Sequence, residues 1–193
     1  MLQLKMYRPD LPLKDFPMPQ GYSMRPAVKA DAEDWCKCCV NGDLGVDKVD
    51  PAIFEEMMLG DKLVSLERIL MAVNEAGEVA GTATARYSDD PQIGVIHMVG
   101  CAEGHKGKGL AKPMCNAVLQ LLRDNGKMCS SLLTDDWRIP AIKTYLALDF
   151  IPVLLDEGME GRWLEIMKQL NIAVMPTYLE KEGKVVEGPV LKI

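Results

Sequence analysis

The chain has 193 residues, of which 48% are hydrophobic and 26% are charged, and its formal net charge is −6 at pH 7. This size and balance suit one globular domain with a real core, so we expect a single domain over residues 1–193. The negative charge argues against nucleic acid or an anionic membrane as the main partner, and no apolar run approaches the ~20 residues of a membrane-spanning helix.

The N-terminal residues 1–20 are rich in proline and predict an extended arm laid over the surface. Charges and prolines stand where a signal peptide needs an apolar stretch, so we expect a cytoplasmic protein. The domain core is predicted over 21–155. Residues 156–193 follow as a C-terminal helix and a tail.

The first half of the core predicts a strand, two helices and a hairpin. The strand covers 21–27, and Asp31, at an N-cap position, precedes a helix through Val40. Asp50-Pro51 predicts the start of a second helix through Leu59. Residues 68–75 and 78–89 flank Ala76-Gly77 as the two strands of a hairpin.

The second half alternates strands and helices, which predicts an α/β fold. In chain order these elements are a strand at 93–101, a helix at 107–125 closed by Gly126, a strand at 130–134, a helix from Pro140, a strand at 150–155, a last helix at 161–170 and a hairpin around Glu182-Gly183.

Three of the six cysteines, Cys36, Cys38 and Cys39, stand close together and raise the question of a metal site. No second cysteine pair with zinc spacing follows, and the only histidines are His97 and His105. We therefore interpret these cysteines as small residues on a helix and expect no metal.

The stretch EGHKGKGLA at 103–111 lies between a predicted strand and a predicted helix. Helix N-termini have unpaired N–H groups and partial positive charge, so a glycine-rich turn at such a position can hold a phosphate. The spacing lacks the Gly-Lys-Ser/Thr of a P-loop and the third glycine of a dinucleotide fingerprint. A flexible surface turn is the plain alternative.

This stretch resembles the acetyl-CoA loop of the GNAT N-acetyltransferases, Gln/Arg-x-x-Gly-x-Gly/Ala, with Gly104 where that pattern has Gln or Arg. A second family motif, Asn-x-x-Ala-x-x-x-Tyr-x-x-x-Gly-Phe, resembles residues 138–150. Ala141, Tyr145 and Phe150 are in register there, with Arg138 replacing the asparagine and Asp149 the glycine.

The resemblance implies the GNAT fold, a mixed central β-sheet flanked by helices, with a splay between the fourth and fifth strands. Acetyl-CoA is then expected as cosubstrate, with its pantetheine arm along the strand at 93–101 and its pyrophosphate on the loop. The residues expected to bind it are Val99, Cys101, His105, Lys106, Gly107, Lys108, Gly109, Leu110, Ala111 and Arg138.

The resemblance also assigns Tyr145 as the acid that protonates the leaving thiolate, a role that suits a phenol with a pKa near ~10. The alternative is a packing role on an amphipathic helix. A covalent acetyl-cysteine at Cys101 would need an activating base, and the sequence offers no clear one.

For the base that deprotonates the amine we select His97, since histidine accepts a proton near neutral pH. Strand alternation puts Val95, His97 and Val99 on one face, barring a bulge. His97 as a buried structural residue is the plain alternative. Glu103, Asp135 and Asp136 are the rival bases.

We therefore expect an N-acetyltransferase that moves the acetyl group of acetyl-CoA to a primary amine by direct attack on the thioester. The acceptor is a small molecule or a peptide, and a homodimer is possible. A non-catalytic CoA-binding or CoA-sensing module is the alternative function, and a nucleotide-binding P-loop protein ranks third because of the spacing.

Overall fold

The computed structural model describes residues 2–40, 44–181 and 183–193. The strands are β1 Leu4–Arg8, β2 Tyr22–Pro26, β3 Ile69–Asn74, β4 Val79–Tyr87, β5 Ile93–Cys101, β6 Cys129–Thr134, β7 Ile151–Leu154, β8 Val174–Met175, β9 Tyr178–Lys181, β10 Lys184–Glu187 and β11 Leu191–Lys192. The helices are α1 Ala32–Val40, α2 Pro51–Phe54, α3 Ala111–Asp124, α4 Ile139–Ala147 and α5 Met159–Leu170. None of the helices in these ranges has the length and apolar composition that a membrane crossing requires.

The chain groups into two compact units, one of residues 12–128 and one of residues 1–11 with 129–193. The class is α/β, with helices flanking β-sheet and both parallel and antiparallel strand pairs. The single domain over 1–193 and the splay between two strands stay predictions.

The unit of residues 12–128 contains an antiparallel sheet in the order β5-β4-β3-β2. Its hairpin is the predicted one: the side-chain oxygen of Asn74 accepts hydrogen bonds from the N–H groups of Ala76 and Glu78, and Gly77 has a left-handed φ of +81°. At α2 the predicted start is confirmed: the helix begins at Pro51, and Asp50 caps it by accepting at Oδ1 from the N–H of Ala52 at 3.0 Å. A π-helical turn, Glu55–Leu59, continues α2 to the predicted end.

One side of this sheet is covered by α1 and α2. The buried side chains that form this core come from both helices, the π-helical turn, β3, β5 and the segments that connect them: Ala27, Ala32, Trp35, Cys36, Cys39, Val46, Phe54, Met58, Val64, Ile69, Met71 and Met98. Helix α1 begins at Ala32, directly after Asp31, and ends at Val40, as predicted. The carboxylate of Asp31 accepts a hydrogen bond from the N–H of Val28 and pairs with Arg25, both Nη–Oδ distances being 2.7 Å.

A β-bulge interrupts β5. His97 pairs with Thr84 of β4, and Gly100 pairs with Thr82, so two residues of β5 lie opposite one residue of β4. Met98, in the bulge, has a left-handed φ of +49°. The predicted alternation of Val95, His97 and Val99 on one face therefore stops at His97.

The other unit has a mixed sheet in the order β10-β9-β7-β1-β6, where β1 runs antiparallel to both neighbours. This corrects the prediction that residues 1–20 are only a surface arm. Leu4 and Met6 are fully buried and Arg8 nearly so. Arg8 Nε donates to the carbonyl of Leu148 at 2.9 Å, which satisfies a group at the C-terminal end of α4.

The C-terminal residues complete this unit. Helix α5 covers the predicted 161–170 and begins two residues earlier. Strands β9 and β10 form the predicted hairpin, with β9 parallel to β7. In its turn, Gly183 has a φ of +74°, and Glu182 lies outside the described residues.

Candidate functional site: the glycine loop and its strand

The loop between β5 and α3 depends on two glycines in the left-handed region. Gly107 has a φ of +75° and Gly109 a φ of +80°, which other residues adopt only at a cost. Space is not the reason for glycine at either position. A Cβ at Gly107 would meet no atom of the described residues within 4 Å, and one at Gly109 would meet only Cγ of Pro19, at 3.9 Å.

These glycines also set the start of α3. The sequence predicts a helix from Gly107, but left-handed residues cannot continue a right-handed helix, so α3 begins at Ala111. Within the described part of the chain no side chain caps this helix, and Leu110 stands at the N-cap with its side chain buried. The N-terminal N–H groups of α3 are thus available to an anion that approaches over the loop.

The loop lysines are exposed and give the site positive charge. Lys106 Nζ forms a salt bridge with Glu103 Oε2 at 2.6 Å, across one turn of 3-10 helix. The Glu103 side chain is 72% exposed, so this pair is screened by water and contributes little to stability.

His105 is fixed to the sheet by a residue that sequence reasoning missed. Tyr22 Oη of β2 lies 2.9 Å from His105 Nδ1, and the two rings make an edge-to-face contact. With Nδ1 engaged, Nε2 is the ring nitrogen that can face another partner. Nothing in the sequence signals this pairing, because 83 residues separate the two side chains.

The segment before β2 lies along α3, a contact that the sequence does not indicate. The carbonyl of Lys14 accepts a hydrogen bond from Asn116 Nδ2 at 3.0 Å. Lys112 Nζ lies 5.8 Å from the ring centroid of Phe16. Residues 12–20 are thus the part of the predicted arm that does lie on the surface of its unit.

His97 is a partly buried residue of β5 whose pKa is lowered. Burial disfavours the charged imidazolium and is the main cause, the positive charge of Arg86 adds to it, and the carboxylate of Asp61 opposes both. Arg86 and Asp61 form a salt bridge of 2.6 Å. A lowered pKa keeps His97 neutral at pH 7, the form that a base needs.

Cys101 and Val99, the residues expected along the pantetheine arm, are both partly buried in the last part of β5. Burial raises the pKa of the Cys101 thiol, and Lys106 only partly offsets this. A thiol that stays protonated is a weak nucleophile. This argues against an acetyl-cysteine intermediate at Cys101.

The cysteines of α1 behave as core residues. Cys36, Cys38 and Cys39 are buried, and burial raises the pKa of Cys38 to about 12. Cys36 Sγ donates to the carbonyl of Asp50 at 3.2 Å. Within residues 2–40, 44–181 and 183–193, no three His, Cys, Asp or Glu side chains lie together in a way that could hold a metal ion.

The other unit carries the second family motif. Tyr145 lies on α4, is 7% exposed and makes an edge-on ring contact with Phe150. Arg138, at the N-cap of α4, pairs with Asp135 Oδ2 at 3.1 Å and lies over the ring of Trp137. Trp137 is 59% exposed.

Two of the rival bases are engaged by cations in this unit. Asp136 forms a two-point ion pair with Arg162, which holds the pKa of that carboxyl below its usual range. Asp135 accepts from Gln3 and pairs with Arg138. A carboxylate with a lowered pKa is a poor proton acceptor at neutral pH, so Asp136 is weaker than His97 as a base.

Comparison with known proteins shows what this arrangement is similar to. Residues 32–150, more than half of the chain, match the model of the Acetyltransferase (GNAT) family. The match begins at α1, contains the loop and ends with the second motif at Phe150.

Among curated proteins, the chain is 28% identical over 163 residues to the mycothiol acetyltransferase of Pseudarthrobacter chlorophenolicus, covering 77% of this chain and 48% of that protein. It is 32% identical over 78 residues to N-acetyltransferase 8 of Mus musculus, covering 38% of this chain and 34% of that protein. The chain thus spans half or less of the length of these curated relatives.

Among solved structures, a GCN5-related N-acetyltransferase from Sphaerobacter thermophilus superposes with a TM-score of 0.59 at 19% identity, over 79% of this chain and 49% of that one. At this identity the likeness concerns the fold alone. Together with the family model, which covers the loop and both motifs, it shows that the chain belongs to the GNAT acetyltransferase family.

Proposed function

We propose that this protein is an acetyl-CoA-dependent N-acetyltransferase that acts on a primary amine. The observation that carries the proposal is the loop: two left-handed glycines lead into the N-terminus of α3, which no described side chain caps. Backbone N–H groups arranged in this way suit a pyrophosphate, and the flanking lysines add charge. Membership of the GNAT family makes acetyl-CoA the expected anion.

In the proposed binding mode, the pyrophosphate lies on the amides from Lys106 to Ala111, and His105 Nε2 faces a phosphate oxygen. Val99 and Cys101 offer main-chain groups of β5 to the pantetheine arm. Arg138 is proposed as a further contact once it exchanges Asp135 for a phosphate. These roles rest on the family motif and on the chemistry of each side chain.

The reaction joins the amine nitrogen to the acetyl carbon and breaks the carbon–sulfur bond of the thioester. His97 takes one proton from the incoming ammonium, so that the nitrogen can attack. Tyr145 donates the proton that the leaving thiolate accepts. The second proton lost by the nitrogen restores the Tyr145 hydroxyl, and the products are an amide and a free thiol.

The proposed acceptor is a small molecule or a peptide with a primary amine, since the pattern that identifies the family does not fix the acceptor. The names of the two curated relatives support acetyl transfer as the reaction class. A homodimer, a cytoplasmic location and the lack of a nucleic-acid partner stay predictions.

The test is an acceptor screen. Acetyl-CoA is incubated with a panel of amines and peptides, thiol release is followed by absorbance, and the acetylated product is identified by mass spectrometry. The expected result is thiol release that depends on one class of amine. Tight CoA binding in calorimetry without release across a broad panel would instead favour a CoA-binding module. No CoA binding at all would refute both.

A further inference from the structure

Five buried side-chain polar atoms of the unit of residues 12–128 have no hydrogen-bond partner among the described residues, and three of these five belong to residues with no exposed surface. These three are Trp35 Nε1, Thr82 Oγ1 and Thr84 Oγ1. All three residues have 0% exposure. A buried donor or hydroxyl without a partner destabilises the folded state considerably, so such groups are nearly always satisfied, often by ordered water.

The three atoms belong to the same layer of the core. Thr84 pairs with Ile69 and Thr82 with Met71 across β3 and β4. Residues opposite each other on paired strands point to the same face of a sheet. Ile69 and Met71 lie in the buried cluster that also contains Trp35. Both threonine side chains therefore lie on the face of the sheet that packs against this cluster, in which the Trp35 side chain is also buried.

The backbone of α1 approaches β5 closely at this place. A Cβ on Gly100 would come within 2.4 Å of the carbonyl oxygen of Cys38, so only glycine fits there. Gly100 is the residue of β5 that pairs with Thr82. Trp35 lies three residues before Cys38, one turn away on the same face of α1.

His97 adjoins the same layer. It pairs with Thr84 across β4 and β5, so its side chain and that of Thr84 lie on one face with Cβ atoms roughly 5 Å apart. The bulge after His97 places Gly100, rather than Val99, opposite Thr82. The bulge thereby aligns His97 with both threonines.

We propose that Trp35, Thr82 and Thr84 form a buried binding site for ordered water, and that this water donates or accepts a hydrogen bond at His97. Water suits the site because it can accept from the indole N–H and both accept from and donate to the hydroxyls. An anion is disfavoured because no cation is among the three groups. An apolar group in this site would leave all three polar atoms without a hydrogen-bond partner.

The water site gives Thr84 and Trp35 a positioning role for His97. A hydrogen bond to one ring nitrogen fixes the tautomer and the ring orientation, which leaves the other nitrogen with a defined role. This second part rests on the proposed function of His97 as the base, whereas the water site itself does not.

The first test measures the melting temperature, and the direction in which it changes shows whether the hydroxyls bind water. Thr82→Val and Thr84→Val keep the shape of the side chain and remove the hydroxyl. If the hydroxyls bind water, each variant loses a hydrogen bond and its melting temperature falls by about 2–4 °C. If they are unsatisfied, valine is the better residue and the melting temperature rises, which overturns the proposal. Thr177→Val calibrates the loss, because its hydroxyl donates to the carbonyl of Pro189 at 2.6 Å.

The second test measures the pH profile of kcat/KM for Thr84→Val, with Thr84→Ser as the conservative variant that keeps the hydroxyl. The charged groups that act on His97 are Arg86 of β4 and Asp61 of the segment before β3, and neither is altered. The expected result is a displaced acid-side inflection for valine and a restored one for serine.

The two tests separate the two claims. An unchanged pH profile for Thr84→Val would overturn the link to His97. If the wild-type protein shows no acetyl transfer to any amine, the proposed function fails, and the melting temperatures still decide whether the water site exists.

Discussion

Gly109 offers the sharpest test of the loop, because the backbone strain that a substitution causes there can be measured separately from its effect on CoA binding. Its φ of +80° costs an alanine roughly 1–2 kcal/mol, while the added Cβ would make only ordinary contact with Cγ of Pro19. Gly109→Ala is thus expected to fold. For a chain of this size the cost corresponds to a fall in melting temperature of about 2–4 °C per kcal/mol.

The same methyl group stands on the backbone that a pyrophosphate approaches over the exposed loop. Shifting the amides of residues 107–111 by a few tenths of an ångström, or blocking the approach, weakens hydrogen bonds to the phosphates. A tenfold loss of CoA affinity, about 1.4 kcal/mol, is the least we expect. Gly109→Val is expected to bind still more weakly, because a β-branched residue is strained further at positive φ.

Gly126 provides a matched control at the opposite end of α3. Its φ is +76° and a Cβ there would meet no described atom within 4 Å, so Gly126→Ala carries the same strain away from the loop. Isothermal titration with CoA and thermal melts are measured for both variants. We expect similar losses of melting temperature and a loss of affinity for Gly109→Ala alone. Equal CoA affinity in the two variants would refute the assignment of the loop.

Four further outcomes follow from other residues. Tyr145→Phe should lower kcat by roughly 10²-fold with unchanged CoA affinity, and near-wild-type turnover would return Tyr145 to a packing role. For His97 the lowered pKa places the loss of kcat/KM below pH ~6.5, as acid protonates the base, and His97→Gln should abolish that inflection; an identical profile would exclude it. Arg25 lowers the pKa of Asp31, so Asp31 contributes stability that is present above its unfolded pKa and is lost as the pH falls below ~4. In urea titrations, the free energy of unfolding of Asp31→Asn should therefore fall less steeply with decreasing pH than that of the wild type. Equal slopes would contradict this. Asn171 ends α5 with a φ of +54°, so Asn171→Val should cost about 1–2 kcal/mol of unfolding free energy while Asn171→Gly costs none; equal stabilities would show that the backbone relaxes there.

Most elements could be predicted from the sequence because their ends carry local chemistry. Asp50-Pro51 sets the start of α2, Asn74 and Gly77 make the hairpin turn, and Gly126 ends α3. Each of these signals acts within five residues of the chain. Between such ends, the spacing of the apolar residues identifies a helix or a strand, and no knowledge of residues far away in the chain is needed.

Strand β1 was missed although its pattern is regular. Leu4, Met6 and Arg8 are buried and alternate with Lys5 and Tyr7, which are partly exposed. Five residues with a lysine and an arginine resemble a surface segment, and the prolines that follow strengthened that interpretation. What buries the strand is pairing with β6 and β7, which lie more than 120 residues later. Arg8 is tolerated there because a carbonyl of α4 accepts from it.

The pairing of Tyr22 with His105 escaped prediction for the same reason, since it joins residues that only the tertiary fold brings together. The sequence does not indicate where β5 has its bulge. The register places it between His97 and Gly100 and so decides which residues face Thr84 and Thr82. Local sequence patterns thus predict where the helices and strands lie, whereas the register of strand pairing determines which side chains share a face of the sheet.

The departures from the family motifs bear on whether the protein turns over acetyl-CoA or only binds it. Asp149 stands where the motif has glycine, and its φ of +66° is the left-handed conformation that glycine supplies. Aspartate is among the residues that tolerate this region, so the turn after α4 keeps the conformation that the motif requires. This substitution therefore gives no support to a degenerate module.

Arg138 and Gly104 are different, because both concern groups that would meet the cofactor. Arg138 brings a positive charge where the motif has asparagine, and that charge is paired with Asp135 across one turn. Gly104 has no side chain to meet a phosphate where the pattern has Gln or Arg, while the Nδ1 atom of the adjacent His105 is engaged by Tyr22. Losing a side-chain hydrogen bond to a phosphate weakens binding, and it does so more strongly where the lost group is a cation. The substitutions therefore predict weaker CoA binding rather than lost chemistry, and the acceptor screen should be run at acetyl-CoA concentrations high enough to saturate such a site.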